Sequence, residues 1–282
     1  VQILNATLRF PVGARLQNLS FVADPQMAPW GTVEIGGRNE MNNEDDTDGS
    51  IENCTFNVGG YNIGIRYNGR NCNIYRNSFS DGTQCTAVHL AWDGIVNEGG
   101  DSLTHGSRKN RINDNQIHLA RSSRAIVAGG DFPIHDCQIK NNTLDIGCQL
   151  LKTIKAGGTF SITENTWLSQ AKSWGHGSEG VVEFSEGRAQ GVVANNIFDS
   201  TDRINSDRVP RFVRVRGACD SGASITFSGN QFLWAKKGEY AVKVSSANHT
   251  CSAFGGAIKN GDANRRGVKG CNWTSNVFNI AG

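Results

Sequence analysis

A six-residue segment recurs along the chain: an apolar residue, two variable residues, asparagine, one variable residue and a large apolar residue. Its copies contain Asn77, Asn115, Asn142, Asn165, Asn196, Asn230 and Asn276, and two earlier copies, in residues 16–21 and 51–56, place the asparagine one position sooner. From Phe21 to Phe278 the closing apolar residues lie about 32 residues apart on average, with a shortest interval of 23. A period in this range predicts stacked structural repeats.

Between these segments lie short runs in which apolar and polar residues alternate. They are residues 32–35, 87–90, 125–128, 181–184, 212–215 and 241–244. An alternation of period two predicts a β-strand with one buried face, and no stretch shows helical periodicity. Each repeat then holds two or three short strands, and stacking the next repeat covers its apolar residues. The sequence predicts one domain over residues 1–282, an all-β, right-handed parallel β-helix of nine to eleven coils with long loop insertions.

The asparagines themselves are predicted to lie at a turn, where this residue tolerates the left-handed region. Stacked in register, each amide can hydrogen-bond to the asparagine above and below it. We therefore expect the seven asparagines to form a ladder along the solenoid.

Composition narrows the function classes. The chain has 34 Gly but only 5 Pro, which suits many tight turns, and its net charge of +2 disfavours a nucleic-acid partner. No apolar run approaches the roughly 20 residues of a membrane span. Because Val1 opens directly into an alternating segment without a start Met, we expect a fragment or a processed form.

Eight cysteines occur without a CxxC motif, which disfavours a zinc ribbon or a thioredoxin-like site. We expect most of them to be free, buried, small apolar fillers. The best candidates for a disulfide are Cys219, Cys251 and Cys271, in the loop-rich final third.

In the alternating strands, the neighbours of the inward apolar residues should point outward and form a column about 5 Å apart. The predicted positions are Glu34, Gly64 or Arg66, His89, Val127, Thr153 with Lys155, Glu183 with Ser185, Arg214 with Arg216, and Lys243 with Ser245. Two interpretations remain open. The column is either a solvated face or a polar groove for a sugar chain, an acidic one if Lys155, Arg214, Arg216 and Lys243 meet its carboxylates.

Two chemistries fit this column. Glycoside hydrolysis needs a pair of carboxyl groups. Glu183 and Glu186 lie on or beside one strand and could reach one sugar only if the turn after Phe184 directs Glu186 back to the same face, whereas Glu34 lies several coils away. A lyase or epimerase needs a base beside a clamped carboxylate, for which Lys155 with Arg214 is suitable and His89 is an alternative base. No diagnostic motif selects either chemistry.

Three insertions carry further candidates. Residues 93–110 contain the possible catalytic carboxylates Asp93, Glu98 and Asp101 and follow Trp92, which can stack on a sugar ring. Residues 38–50 are acidic, and Asp46 and Asp48 give only a weak indication of calcium because the full loop spacing is absent; no other cofactor is predicted. Residues 248–270 are basic, and a degenerate coil is expected within the gap from Phe232 to Phe278. Trp174 is a further candidate for ligand contact.

The nine asparagine-centred segments, which cover nearly the whole chain, resemble the pectin-lyase-like superfamily of right-handed parallel β-helices. Within it, the irregular coils and long insertions are most similar to bacteriophage tailspike proteins. That resemblance implies a homotrimer on the virion, joined to other tail proteins, that recognises and often cleaves capsule or O-antigen polysaccharide outside the cell. Two alternatives share the same coil: a bacterial polysaccharide lyase, glycoside hydrolase or uronan epimerase, and a non-enzymatic adhesin. Neither nucleic acid nor membrane is expected as a partner.

Overall fold

The computed structural model describes the strands and most of the tight turns of the chain. The described residues are 2–4, 8–11, 13–23, 32–35, 48–60, 62–67, 71–82, 84–90, 109–120, 123–129, 134–145, 148–154, 158–168, 180–184, 189–200, 211–216, 224–234, 240–245, 250–254, 271–274 and 276–280. They contain 29 β-strands, numbered in chain order, and no α-helix.

The strands form three sheets, which we number by their order along one coil. Sheet 1 contains β2 (Leu8–Phe10), β5 (Val33–Ile35), β8 (Ile63–Tyr67), β11 (Thr86–Leu90), β14 (Ser123–Gly129), β17 (Cys148–Ile154), β20 (Gly180–Phe184), β23 (Arg211–Arg216), β26 (Tyr240–Ser245) and β27 (Thr250–Phe254). Sheet 2 contains β3 (Arg15–Gln17), β6 (Ser50–Glu52), β9 (Asn73–Tyr75), β12 (Arg111–Asn113), β15 (Ile134–Lys140), β18 (Gly158–Thr163), β21 (Ala189–Ala194), β24 (Ser224–Ser228) and β28 (Cys271–Thr274). Sheet 3 contains β1 (Gln2–Leu4), β4 (Ser20–Val22), β7 (Thr55–Asn57), β10 (Ser78–Ser80), β13 (Gln116–His118), β16 (Thr143–Asp145), β19 (Thr166–Leu168), β22 (Ile197–Ser200), β25 (Gln231–Trp234) and β29 (Val277–Ile280).

Successive strands of each sheet come from successive turns of the chain and pair in parallel, apart from β27, which is antiparallel to β26. After β1, the described strands make nine coils of three strands each. The chain is therefore a parallel β-helix, and its all-β fold class and coil number agree with the prediction. The expected degenerate coil is wrong, because β25 pairs directly with β29 and the gap holds the β26–β27 hairpin instead.

The core consists of columns of apolar residues from equivalent positions. In sheet 2 the buried column runs Leu16, Ile51, Ile74, Ile112, Ile139, Ile162, Val193 and Phe227, and in sheet 3 it runs Phe21, Phe56, Phe79, Ile117, Leu144, Trp167, Phe198 and Phe232. The backbone register extends the first column to Trp273 and the second to Ile3 and Phe278. These are the first and last residues of the recurring segment. Ring centroids of Phe21 and Phe56 lie 4.8 Å apart, and those of Phe56 and Phe79 lie 4.9 Å apart. That distance is about the strand spacing, so stacking and strand pairing favour the same register.

Every described connection from sheet 2 to sheet 3 is a two-residue turn, and from residues 76–77 onwards its second residue is a ladder asparagine. The amide of Asn142 shows the pattern. Its Nδ2 donates to Asn165 Oδ1 at 2.9 Å and to the Ile112 carbonyl at 2.8 Å, while its Oδ1 accepts from Asn115 Nδ2 at 2.9 Å and from the Asn115 backbone N–H at 3.0 Å. Both donors and both lone pairs of this buried amide are satisfied. The same bonds link Asn77, Asn115, Asn142, Asn165, Asn196, Asn230 and Asn276 into one ladder.

The ladder asparagines do not themselves adopt the left-handed conformation, contrary to expectation. The residue before each of the first six carries it instead, with positive φ at Arg76, Asp114, Asn141, Glu164, Asn195 and Gly229. In the two early copies, Asn18 and Asn53 occupy that left-handed position. The ladder position there falls to Leu19 and Cys54, and the backbone N–H of Cys54 donates to Asn77 Oδ1 at 2.9 Å. The shifted asparagine thus marks turns that lie outside the ladder.

Four cysteines, Cys54, Cys72, Cys85 and Cys137, are free and buried, as predicted. The described side chains do not include those of Cys219, Cys251 and Cys271, so the disulfide prediction lies outside them. Burial raises the pKa of the Cys72 and Cys137 thiols to about 12 and also raises those of Cys54 and Cys85.

Replacing a ladder asparagine should destabilise the protein more than replacing its exposed neighbour. Asn142→Ala removes the acceptor of two Asn115 N–H groups inside the protein, so we expect a loss of about 3 kcal/mol in the free energy of unfolding. Asn141→Gly keeps the left-handed turn and should cost less than about 1 kcal/mol. Urea unfolding followed by circular dichroism measures both. Equal losses in the two variants would contradict the role given to the ladder.

The buried thiols should make stability depend on alkaline pH. Because their pKa values are raised above the unfolded value of about 8.5, their contribution is complete below that pH and is lost as pH rises from about 8.5 towards 12. The free energy of unfolding should therefore fall between pH 8 and pH 10. The Cys72→Ala/Cys137→Ala variant should be less stable at pH 8 but lose less over this interval; an unchanged pH slope would contradict the assignment.

Candidate functional site

Sheet 1 differs from the other two sheets in the burial of its outward face. Strands of sheets 2 and 3 alternate between buried and more exposed positions, as in β7 and β12. In sheet 1, by contrast, all the residues of β5 are buried, as are Val181–Phe184 of β20. The outward residues Glu34, Arg66 and Glu183 are 8%, 5% and 1% exposed. Such charged groups are rarely buried without polar partners, which makes this face the candidate site.

Strand register places these charges in one line, which we call the sheet 1 column. It runs Arg9, Glu34, Arg66, His89, Val127, Lys152, Glu183, Arg214 and Lys243. Neighbours are separated by about 4.8 Å, the spacing of paired strands. The column agrees with the predicted face at every described strand except β17, and of the alternatives Gly64 and Arg66 it contains Arg66.

Thr153 is not at its predicted position in the column. Lys152 pairs with both Val127 and Glu183 and so occupies the place predicted for Thr153, while Lys155 lies outside the described residues. Thr153 pairs with Ala128, a core residue, and so belongs to the inward register. The error arose from the adjacent Leu150 and Leu151, both buried, which hide the phase of the alternation. A shift of one residue exchanges the two faces of a strand.

Each carboxylate of the column lies between two cations in the register. Glu34 lies between Arg9 and Arg66, and its Oε2 accepts a hydrogen bond from Arg9 Nε at 2.9 Å. Glu183 lies between Lys152 and Arg214. Opposite charges on neighbouring strands attract, and this order avoids facing carboxylates. The column presents repeated charged donors and acceptors with the period of the coil.

The two carboxylates cannot act on one glycosidic bond. Glu34 and Glu183 are five strands apart in the sheet 1 column, which corresponds to about 24 Å. A hydrolase requires a carboxyl separation of about 5–9.5 Å. Glu183 therefore has no second carboxylate of the described sheet 1 column within that distance, and Glu186 lies outside the described residues. The base-and-clamp pair of Lys155 with Arg214 stays a prediction, because Lys155 also lies outside the described residues.

Several predicted site residues fall outside the described part of the chain. These are Trp92, Asp93, Glu98 and Asp101 in one insertion, Lys155, Trp174 and Asp46. Arg214, Arg216 and Lys243 are placed by the backbone register of β23 and β26. In the sequence, Trp92 and Asp93 come directly after β11, the strand that brings the half-buried His89 into the column.

Among the described residues, no group of three or more His, Cys, Asp or Glu side chains could hold a metal ion. Asp48, one of the two predicted calcium ligands, accepts a hydrogen bond from Asn71 Nδ2 through its Oδ1. The described part of the chain also has no helix long and apolar enough to cross a membrane.

The fold and the sheet 1 column together define a parallel β-helix with a charged, buried outer face. Beyond that class, no protein-family model, curated protein or solved structure matches the chain.

Replacing Glu34 should cost more stability than replacing Arg9, although the two form one ion pair. The Arg9 side chain is 73% exposed, so Arg9→Ala should lower the free energy of unfolding by less than about 1 kcal/mol. Glu34→Ala removes a carboxylate beside the buried Arg66, and a loss of about 2 kcal/mol or more is expected. Chemical unfolding of both variants measures the difference; similar small losses would show that the column is well solvated.

Proposed function

We propose that the sheet 1 column binds a polysaccharide of a bacterial surface, with or without cleavage of that polysaccharide, as a capsule or O-antigen receptor on a phage tailspike or tail fibre. The observation that carries this proposal is the column itself: charged side chains repeated coil after coil on the sheet whose outward face is buried. The proposal includes a homotrimer joined to other tail proteins, located on the virion or otherwise extracellular.

The period of the column is the main physical argument. Paired strands repeat about every 4.8 Å, close to the length of one sugar ring, so a linear polysaccharide lying along the coil axis meets an equivalent position at each step. Charged side chains make strong hydrogen bonds to sugar hydroxyls and carboxylates. A surface with the same repeat as the polymer can make an equivalent contact with each unit that it binds.

The long connections provide a second argument. All connections between sheets 2 and 3 in the described chain have two residues, whereas those on either side of sheet 1 include the segments 24–31, 36–47, 91–108, 169–179 and 201–210. Loops presented by a rigid scaffold commonly carry binding and catalytic groups. Asp93, Glu98 and Asp101 lie in such a segment and would supply carboxylates for cleavage, with Trp92 stacking on a sugar ring.

The test is incubation of the protein with a panel of capsular and O-antigen polysaccharides. New reducing ends indicate hydrolysis, absorbance from unsaturated uronates indicates a lyase, and binding without either product indicates a receptor. A trimer in solution favours the tailspike over a free bacterial enzyme, and a membrane-anchoring domain encoded downstream would favour an adhesin. Absence of binding to every polysaccharide in the panel would contradict the proposal.

Glu183→Gln should weaken binding, and any cleavage, by at least tenfold, because it removes the negative charge that lies between Lys152 and Arg214 in the register while keeping the shape of the side chain. The matched control is Glu164→Gln, since Glu164 is exposed at the turn between sheets 2 and 3. Affinity is measured by surface plasmon resonance on the immobilised polysaccharide, with thermal unfolding to confirm folding. Wild-type affinity in Glu183→Gln would show that the sheet 1 column is not part of the binding site.

A further inference from the structure

A pocket lies on the outward face of sheet 2, at coils four to six. Lys109, Arg111, Asp136, Gln138, Thr159 and Ser161 line it, together with the core residues Cys137 and Phe160, and its volume is about 360 Å³. Pockets for small ligands measure about 300–1,000 Å³, so this one has room for one or two sugar units. We call it the sheet 2 pocket. Arg111 and Asp136 were not among the residues predicted from the sequence.

A β-bulge forms the pocket. Against β18, Ile134 pairs with Gly158 and Cys137 with Phe160, so His135 and Asp136 together oppose the single residue Thr159. Asp136 has a φ of 51°, in the left-handed region, and is exposed. A bulge bends the strand and redirects a side chain, and bulges are frequent next to functional sites. The bulge is thus the feature that turns a flat outer face into a concavity.

The lining is polar and carries more positive than negative charge. Arg111, Gln138 and Ser161 occupy one outward column on β12, β15 and β18, which places three hydrogen-bonding side chains in line. Two cations, Lys109 and Arg111, face a single carboxylate, that of Asp136. Hydroxyl, amide and guanidinium groups are suited to sugar hydroxyls, and the excess cation is suited to an anionic substituent.

The position of the pocket connects it to the sheet 1 column. It lies on β12, β15 and β18, which follow in the chain the sheet 1 strands that carry His89, Val127 and Lys152. In these three coils, the pocket therefore lies on the sheet that comes next after the proposed binding face.

We propose that the sheet 2 pocket binds an anionic sugar unit, one that carries a carboxylate or a phosphate, as a side branch or flanking unit of the polymer on sheet 1. This inference rests on the proposed function for the identity of the polymer. The pocket itself is a separate site, on another sheet, with its own residues.

The test is isothermal titration calorimetry of the whole chain with a galacturonic acid trisaccharide, galactose 6-phosphate, the neutral galactose trisaccharide and inorganic phosphate. We expect at least one anionic sugar to bind more tightly than the neutral trisaccharide and than phosphate alone. No binding of either anionic sugar would overturn the proposal. Equal binding of inorganic phosphate would also overturn it, because the site would then recognise charge without sugar.

Two variants test whether the anionic sugar binds in the sheet 2 pocket. Arg111→Ala should weaken it about tenfold, through loss of a charge-assisted hydrogen bond, and Ser161→Trp should block it by filling the pocket. The matched control is Arg15→Ala, because Arg15 is exposed in the same outward column of sheet 2 but three coils away. Loss of binding in Arg15→Ala, or wild-type binding in both pocket variants, would overturn the assignment.

One further comparison separates this proposal from the proposed function. Glu183→Gln should weaken binding of the whole polysaccharide and leave binding of the anionic sugar unchanged. If no whole polysaccharide binds while binding of the anionic sugar still depends on Arg111, the proposed function is overturned and the proposal for the sheet 2 pocket stands. If the polysaccharide binds through Glu183 and the anionic sugar does not bind, only the proposal for the sheet 2 pocket is overturned.

Discussion

The buried amide at the turn between sheets 2 and 3 is the interaction on which the architecture depends. A two-residue corner leaves backbone groups and one polar side chain inside an apolar solenoid, where an unsatisfied group would be costly. The asparagine solves this problem only because another asparagine, one coil away, provides the complementary acceptor and donor. The turn therefore fixes the register of the coils as well as the direction of the chain. Aromatic rings of sheet 3 then stack at the same spacing.

The turn between sheets 2 and 3 has a fixed length, whereas the two connections that flank sheet 1 differ in length from coil to coil. Since sheets 2 and 3 are always joined by two residues, changes in coil length are accommodated in the connections that flank sheet 1. The same sheet has buried charges on its outward face, whereas Arg15 and Arg111 remain exposed on the outward face of sheet 2. The turns of constant length thus lie between sheets 2 and 3, whereas the variable connections and the buried charges lie at sheet 1, on another side of the solenoid. That separation is the physical reason for assigning function to sheet 1.

The sequence predicted the parts of the fold in which burial restricts residue identity. Asn142 and Asn165 must be asparagine for the ladder to close, and Ile112 and Ile139 must be apolar to cover the core, so both signals are visible in the sequence. The phase of β17 could not be obtained in this way, because Leu150 and Leu151 are both buried and hide the alternation. Likewise, the bulge at Asp136 depends on how two strands of different coils match in length, which no local pattern records. The left-handed residues vary among Arg, Asp, Asn, Glu and Gly, and so carry little sequence signal.

The uniform corner also has a consequence for how such a protein can change in size. Each coil contacts only the coils on either side of it, and every ladder position presents the same bonds to both neighbours. If one whole coil were duplicated or lost, the coils on either side of the change could therefore pair with each other without a mismatched surface. The length of the solenoid is set in discrete steps by the number of coils, and evolution can change that length without redesigning the interior.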